Sequence, residues 1–275
     1  MRQWLNASNH LLHPYWILPR CFVTIKVSAM NEQRPFFDDD YGGRYILVEP
    51  GFFTMGDASG NRTEQPPHEV QITEPFFCGE RPVTQLHWAT IMGDNPSRFQ
   101  EGWAAGLRPV EQVSWHDVEL FLSRLNATDS NNERLGMKGE WRLPTESEWE
   151  FLARAGTKSR WSFGDRDGEL NEYGWHAGNS GASTREVGQK KANPWGFLDL
   201  HGQVSEWCQD SWSVNYNRHT NSQLAFEDVK ATRRVHRGGS WFTESDSTRC
   251  SARGSASMEF RSDGIGFRLV WQPME

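Results

Sequence analysis

The chain has 275 residues, a net charge of −7 and a mean hydropathy of −0.73, yet 13% of its residues are aromatic and 14 are tryptophan. Disordered chains are poor in aromatic residues, so this composition excludes a disordered protein and favours a loop-rich fold around large aromatic side chains. The acidic balance, without a basic tract, disfavours nucleic-acid binding. No apolar run approaches the roughly 20 residues of a membrane helix and the first residues lack a signal-peptide pattern, so we expect a cytoplasmic protein without membrane contact.

The four cysteines, Cys21, Cys78, Cys208 and Cys250, are widely separated in the sequence. This spacing matches neither a zinc motif nor a disulfide scaffold. We therefore predict reduced, buried thiols, since free cysteine is among the residue types most often buried. A Cys208–Cys250 disulfide remains the alternative.

The sequence predicts an N-terminal arm of unknown role at residues 1–44 and a single domain at 45–275. Within the arm, residues 22–27 have strand composition. The domain begins with two predicted strands at 45–57, separated by a Pro-Gly turn, and a further strand is predicted at 69–73.

Three helices are predicted, each starting after a hydroxyl residue that can cap it: Thr84, Ser114 and Thr145. Gly93 and Gly156 should end the first and third of them. Their predicted buried faces are Leu86, Trp88, Ile91 and Met92, then Val118, Phe121, Leu122 and Leu125, then Trp149, Leu152 and Ala153. After residue 156 we predict no regular helix.

The third helix starts with a capping box, Thr145 with Glu148 three residues later. Glu146, Glu148 and Glu150 could serve as general acids in a cleft. Carboxylates in a first turn also stabilise a helix N-terminus, and we favour this structural role.

The C-terminal stretch from Arg237 to Val270 reads RGGSW, then a long polar run, then IGFRLV. IGFRLV has strand composition and is predicted to be held in a sheet. A long loop on a packed domain is either functional or disordered, and the flanking Trp241, Ile265 and Phe267 favour an ordered, functional loop.

From residue 45 onward, seven blocks of sequence resemble the formylglycine-generating enzyme/sulfatase-modifying factor family and follow in that family's order. They are GFFTMGD, RPVTQLHW, NPSRF, RPVEQVSWHDVELF, WRLPTESEWEFLARAG, NPWGFLDLHGQVSEW and the closing RGGSW…RCSAR…GIGFR. The resemblance implies an α+β domain with a C-type-lectin-like fold, irregular and loop-rich, with short helices and small antiparallel sheets.

Members of the family that make formylglycine carry two cysteines after GGS, which bind copper(I). Here the first position matches Thr243, and the second falls among Glu244, Ser245, Asp246 and Ser247. Hydroxyl and carboxylate groups are poor ligands for a soft ion. We therefore expect no copper and no formylglycine-generating activity, and we predict no catalytic residues of that kind.

A calcium site is implied by the resemblance of the block NPWGFLDLHGQVSEW. Its matching positions are Asp199, Gly202, Val204 and Glu206, which would offer two carboxylates and two main-chain carbonyls. Calcium takes six to eight such hard oxygen ligands. The alternative is a loop held by hydrogen bonds from main-chain N–H groups to the two carboxylates.

For function we predict a non-catalytic protein that binds a protein or peptide through the loop between GGSW and GFR. Exposed Phe and Met side chains among hydroxyls and charges suit a protein contact. The candidate residues are Trp241, Phe242, Thr243, Glu244, Asp246, Arg253, Met258, Glu259 and Arg261.

Two alternatives remain. One is an oxidative or peptide-modifying enzyme of the same family, in which Arg249, Arg253 and Trp241 line a cleft facing Trp175–His176. The two arginines could equally form structural ion pairs, which we favour.

The second alternative is a variable protein of a diversity-generating retroelement. Those systems diversify mainly Asn-coded positions, and an Asn codon cannot become a Glu or Met codon by changes at adenine alone. Glu244, Met258 and Glu259 therefore count against this alternative.

Overall fold

The computed structural model describes residues 34–128 and 133–274; the strand proposed at 22–27 lies outside them. The helices are α1 (Gln85–Met92), α2 (Trp115–Thr128), α3 (Glu146–Arg154) and α4 (Leu170–Tyr173). The strands are β1 (Phe36–Asp38), β2 (Arg44–Val48), β3 (Gly51–Met55), β4 (His68–Ile72), β5 (Phe76–Gly79), β6 (Glu133–Arg134), β7 (Met137–Arg142), β8 (Ser205–Ser211), β9 (Arg233–Arg237), β10 (Arg253–Ser257), β11 (Ile265–Gly266) and β12 (Val270–Pro273).

These strands form three small sheets. A six-stranded antiparallel sheet has the order β1-β2-β5-β12-β7-β6, and β3 pairs with β4 in a separate hairpin. A four-stranded sheet has the order β10-β9-β8-β11, in which only the short β8–β11 pair is parallel. With the short helices, this is the α+β, C-type-lectin-like architecture predicted from the sequence. Strand β1 comes from the stretch assigned to the N-terminal arm, so the six-stranded sheet includes part of that arm.

The first helix begins and ends as predicted, but its buried face differs. The Thr84 side chain accepts a hydrogen bond from the main-chain N–H of His87, and Gly93 ends the helix with φ of 84°. Leu86, however, is 55% exposed, while Gln85 and His87 are buried. The apolar period placed Leu86 inward, but α2 lies on the side of His87 and Trp88, whose rings contact Phe121. Leu86 instead faces the short turn at 105–107, where a Cβ on Gly106 would lie 3.5 Å from the Leu86 Cβ.

The third helix has both hydrogen bonds of the predicted capping box between Thr145 and Glu148. It ends one residue before the predicted glycine, because Ala155 itself takes the left-handed conformation with φ of 45°. The prediction that no regular helix follows residue 156 is wrong. The one-turn helix α4 continues directly from a 3-10 turn at Asp167–Glu169, without a hydroxyl cap that could have signalled it.

The core is aromatic, as the composition predicted. Trp149, Trp161, Trp207 and Trp271 are completely buried, each contributing a large apolar area. None of the helices in the described ranges has the length and apolar character needed to cross a bilayer.

The C-terminal IGFRLV run is two strands, contrary to the single strand predicted. Strand β11 pairs with β8 in the four-stranded sheet, and β12 pairs with β5 and β7 in the six-stranded sheet. Between them, Arg268 turns into the interior against Glu206. The chain therefore passes from the four-stranded sheet to the six-stranded sheet, and the charged side chain of Arg268 is buried between the two strands.

Candidate ligand-binding surface and metal-ligand block

The run from Trp241 to Gly264 is not one continuous loop. Residues 248–252 are buried, and β10 then pairs with β9 along its whole length. The run is thereby divided into a first exposed segment, residues 241–247, and a second exposed segment, residues 258–261. The two segments are the parts of the predicted loop that can meet a partner.

A tight turn at Gly239–Thr243 opens the first exposed segment. Gly239 has φ of 68°, and a Cβ there would lie 2.8 Å from the Thr243 hydroxyl oxygen. The main-chain N–H of Ser240 donates to that oxygen at 2.9 Å, and the hydroxyl donates to the Ser240 carbonyl at 3.1 Å. Ala177 also donates its N–H to the Thr243 carbonyl at 3.0 Å. Thr243 therefore fixes the turn rather than presenting a free group.

Two aromatic side chains dominate the first exposed segment. The Trp241 indole donates to the Asp263 carbonyl at 2.8 Å and contacts Phe99 edge-on with ring centroids 5.4 Å apart. Phe242 is 48% exposed and lies over Gly264, where a Cβ would come within 2.3 Å of its ring. Gly264 thus provides the space in which the Phe242 ring rests.

Charged groups surround these aromatic rings. Glu244 and Asp246 are exposed, and Asp246 pairs with Arg160. At the edge of the segment, Arg98 pairs with Asp263. The first exposed segment therefore combines apolar area with acidic groups at its rim.

The second exposed segment lies against the start of α2. Arg261 pairs with Asp117 through two hydrogen bonds of 2.8 and 2.7 Å, and Glu259 lies 3.7 Å from His116. Met258 is half-buried and its carbonyl accepts from the N–H of His116. Phe260, which was not among the predicted contact residues, is 49% exposed.

Arg253, predicted to belong to the recognition surface, lies inside the protein. Its side chain is fully buried and holds the Glu146 carboxylate through two hydrogen bonds of 2.6 and 2.7 Å. Arg249 binds Glu64 in the same way at 2.8 and 2.9 Å. Burial opposes ionisation of Glu64, but the hydrogen bonds from Arg249 and Ser251 lower its pKa to about 2. Both arginines thus form structural ion pairs beneath the exposed segments.

The glutamates of α3 also have structural partners. Glu148 accepts two hydrogen bonds from Arg142 at 2.7 and 2.8 Å, and Glu150 binds Arg154 and Arg237. The capping-box role of Glu148 is the one favoured from the sequence, whereas the ion pairs of Glu148 and Glu150 with arginines were not predicted.

The structure brings Arg98, Phe99 and Asp263 beside Trp241, although none of the three was predicted to belong to the surface. Arg98 and Phe99 belong to the block NPSRF, more than 130 residues before Trp241. NPSRF is one of the seven blocks that resemble the family, and this resemblance was the only feature of the sequence that could have linked it to the surface.

Asp199, the first residue of the metal-ligand block, has an unsatisfied oxygen. Its Oδ2 accepts from the N–H of Gly188 at 2.7 Å, while its Oδ1 is buried without a hydrogen-bond partner. Burial raises the pKa of this carboxyl to about 6. Asp199 and Gly202 have φ of 59° and 119°, so the main chain reverses sharply here. An unpartnered buried carboxylate oxygen fits a cation.

Glu206 is more heavily engaged. Arg268 donates to both carboxylate oxygens, at 2.6 and 2.7 Å, and the Trp149 indole donates to Oε2 at 2.6 Å. A carboxylate has about four acceptor positions. One position on Oε1 remains, so Glu206 could serve a calcium ion at most as a ligand shared with Arg268. The block fits calcium through Asp199 and, in this limited way, through Glu206.

The cysteines in the described ranges are reduced and buried. Cys78, Cys208 and Cys250 are free, which decides against the Cys208–Cys250 disulfide left open by the sequence. Burial raises the pKa of the Cys78 and Cys250 thiols to about 12. These are structural thiols rather than reactive ones.

Comparison with known proteins agrees with the fold and the sequence blocks. The chaperone protein LppX of Paenibacillus barcinonensis is 28% identical over 80% of this chain and 85% of its own length. The formylglycine-generating enzyme of Streptomyces coelicolor is 29% identical over 82% of this chain and 88% of its own length. The solved structure of Treponema denticola variable protein 1 superimposes with a TM-score of 0.78, at 28% identity, over 87% of this chain and 99% of that chain. The sequence profile of the sulfatase-modifying factor enzyme 1-like domain matches residues 36–273, and the chain belongs to this family.

Proposed function

We propose that this protein binds a protein or peptide through the first and second exposed segments and that it is not a formylglycine-generating oxidase. One observation carries the proposal: Phe242 and Phe260 are each about half exposed, at 48% and 49%, on segments anchored by buried ion pairs. Large aromatic side chains on a rigid base are typical anchors of protein interfaces, because little side-chain entropy is lost when they bind.

The rim of the surface indicates the chemistry of the partner. Glu244 is exposed beside Phe242, and Glu259 is exposed beside Phe260. Arg98 and Arg261, in contrast, are already paired with Asp263 and Asp117. An apolar side chain flanked by lysine or arginine would therefore complement the surface in both shape and charge.

Two of the relatives support a binding role. One is named a chaperone, a class of protein that acts by contacting other proteins. The other is named a variable protein, and it shares this fold over nearly its whole length. The retroelement alternative belongs to the same binding class and would use the same surface.

The enzyme alternative required a cleft between the loop and Trp175–His176. At this position the main chain of Ala177 is hydrogen-bonded to Thr243, and the N–H of Gln203 donates to the Trp175 carbonyl. These hydrogen bonds hold the stretch at 175–177 directly against Thr243 and Gln203, so they leave no gap for a cleft at these positions. Arg249 and Arg253, which were to line the cleft, are buried in ion pairs. The geometry therefore favours binding over catalysis.

Selection from a random peptide library displayed on phage tests the proposal, with the full chain as target. We expect enriched peptides to combine apolar and basic residues. Phe242→Ser should weaken their binding at least about tenfold, because interface aromatics typically contribute 2 kcal/mol or more. Val214→Ser is the matched control, since Val214 is 68% exposed elsewhere on the surface.

Phe260→Ser shows whether the second exposed segment takes part. Peptides that bind Phe242→Ser and Phe260→Ser as tightly as the unaltered chain would refute the proposal. A selection that enriches no peptide would refute it as well. Circular dichroism of each variant establishes that the fold is retained.

A further inference from the structure

A cavity of about 250 Å³ lies on a different part of the molecule from the two exposed segments. It is bordered by β4, the end of β8 and the segment 218–227. Its charged and titratable walls are two imidazoles, two carboxylates and one guanidinium, from His68, His219, Asp210, Glu227 and Arg218. These residues come from three separate stretches of the sequence, and neither the family resemblance nor the proposed binding surface accounts for them.

Asp210 and His219 of this cavity and the buried Glu146, which is not one of its lining residues, are close enough to share an ion. Glu146, Asp210 and His219 each offer one ligand atom, and these three atoms lie within 4.8 Å of one another. Zinc binds imidazole nitrogen and carboxylate oxygen at about 2.0–2.2 Å, so the three ligand atoms would have to draw closer together around one ion.

His219 is held in place, yet its ring nitrogen is free. The ring stacks on Phe226 with centroids 4.6 Å apart and meets Tyr216 edge-on at 4.9 Å. Its Nε2 is buried and has no hydrogen-bond partner. Burial lowers the pKa of this imidazole to about 4, which keeps it neutral near pH 7. A neutral, fixed and unpartnered imidazole is a ready metal ligand.

Asp210 is oriented by two main-chain N–H groups. Phe226 donates to Oδ1 at 2.8 Å and Glu146 donates to Oδ2 at 2.6 Å. Each oxygen keeps an acceptor position. These hydrogen bonds are the outer contacts that typically orient a carboxylate ligand.

Glu146 is shared with structural partners. Arg253 occupies one position on each of its oxygens, and Tyr216 and Arg237 approach Oε1 at 3.4 Å. Oε2 keeps an acceptor position that faces no further partner in the described contacts. Glu146 is therefore the weakest of the three ligands, and His219 and Asp210 are the main ones.

We propose that His219 Nε2, Asp210 and Glu146 form a site for a divalent transition-metal ion of the zinc type, with its remaining positions open to the 250 Å³ cavity. Calcium prefers an all-oxygen set of six to eight ligands, so the imidazole selects against it. His68, whose ring centroid lies 6.4 Å from that of His219 and whose Nε2 is also buried without a partner, is a second imidazole beside the open positions.

Isothermal titration of the metal-free full chain with zinc tests the site. We expect one zinc per chain, with affinity unchanged by millimolar calcium. His219→Gln should weaken zinc binding at least about tenfold, since even outer contacts of metal sites contribute 10- to 100-fold. Cobalt in place of zinc should give a visible absorption band that is lost in the same variant.

The matched control is His116→Gln, because His116 is an exposed histidine beside Glu259 and could take up zinc adventitiously. His219→Phe retains the stacking on Phe226 and separates ligand loss from misfolding. Absence of stoichiometric zinc binding would overturn the proposal. So would equal affinity in His219→Gln and the unaltered chain, or a loss confined to His116→Gln.

Discussion

Glu206 of β8 and Arg268, between β11 and β12, form a buried ion pair with two hydrogen bonds of 2.6 and 2.7 Å. Arg268 also donates to the carbonyls of Gly79 and Leu198 at 2.9 and 3.0 Å. One side chain therefore connects the four-stranded sheet, the six-stranded sheet and the metal-ligand block. The Trp149 indole brings α3 into the same network.

Removing one partner of this pair should destabilise the protein strongly. We expect Arg268→Met to lower the free energy of unfolding by about 3–5 kcal/mol, because the Glu206 charge would stay buried without compensation. The double variant Arg268→Met/Glu206→Gln should recover part of the loss, since it removes that charge. Urea unfolding with a calcium chelator present measures both. Equal stability of single and double variants would show that the pair acts through packing alone.

The fold was predictable where local sequence determines structure. The capping box of Thr145 and Glu148, the Thr84 cap and the Pro-Gly turn that separates β2 from β3 all depend on neighbours within a few residues. The family blocks supplied the architecture beyond that. The break in IGFRLV was not predictable, because Arg268 leaves the strand for a partner 62 residues away.

The candidate site was predictable only in part. Phe242, Glu244 and Glu259 are exposed as expected, since a polar run without apolar period usually faces solvent. Arg253 was misplaced because its partner, Glu146, lies 107 residues earlier and was interpreted as a helix-start carboxylate. The cavity of Asp210 and His219 was not predicted either, because its walls also include His68, which lies more than 140 residues earlier in the sequence.

Calcium should stabilise the protein through Asp199. At a calcium concentration of 100 times the dissociation constant, binding adds about 2.7 kcal/mol to the free energy of unfolding. We expect calcium to raise the melting temperature of the unaltered chain but not that of Asp199→Ala. Asp246→Ala, an exposed carboxylate in an ion pair with Arg160, is the control. An equal calcium response in Asp199→Ala would remove Asp199 from the site.

Glu111 should make stability depend on pH. Its Oε2 is buried without a partner, and burial raises its pKa from 4.5 to about 7, against the opposing hydrogen bond from the N–H of Phe99. The native state therefore binds a proton that the unfolded chain releases above pH 4.5. Stability from this group is present below pH 4.5 and is lost as pH rises towards 7.

Glu111→Gln removes this proton linkage while keeping the side-chain shape. The variant should gain stability relative to the unaltered chain as pH rises from 4.5 to 7.5, in urea unfolding at several pH values. A stability difference that stays constant over this range would mean that Glu111 is ionised in the native protein.

The last prediction concerns the chemistry of the family. Copper(I) requires soft thiolate ligands, and here Thr243 uses its hydroxyl to hold the turn at Ser240. The nearby Cys250 is buried, and its pKa of about 12 keeps it protonated at neutral pH. With copper and a reductant, we expect no aldehyde from a Cys-x-Pro-x-Arg peptide by mass spectrometry. The Streptomyces coelicolor formylglycine-generating enzyme, 29% identical, is the positive control. Aldehyde formation by the present chain would show that other side chains hold the metal and would favour an enzyme over the proposed binding protein.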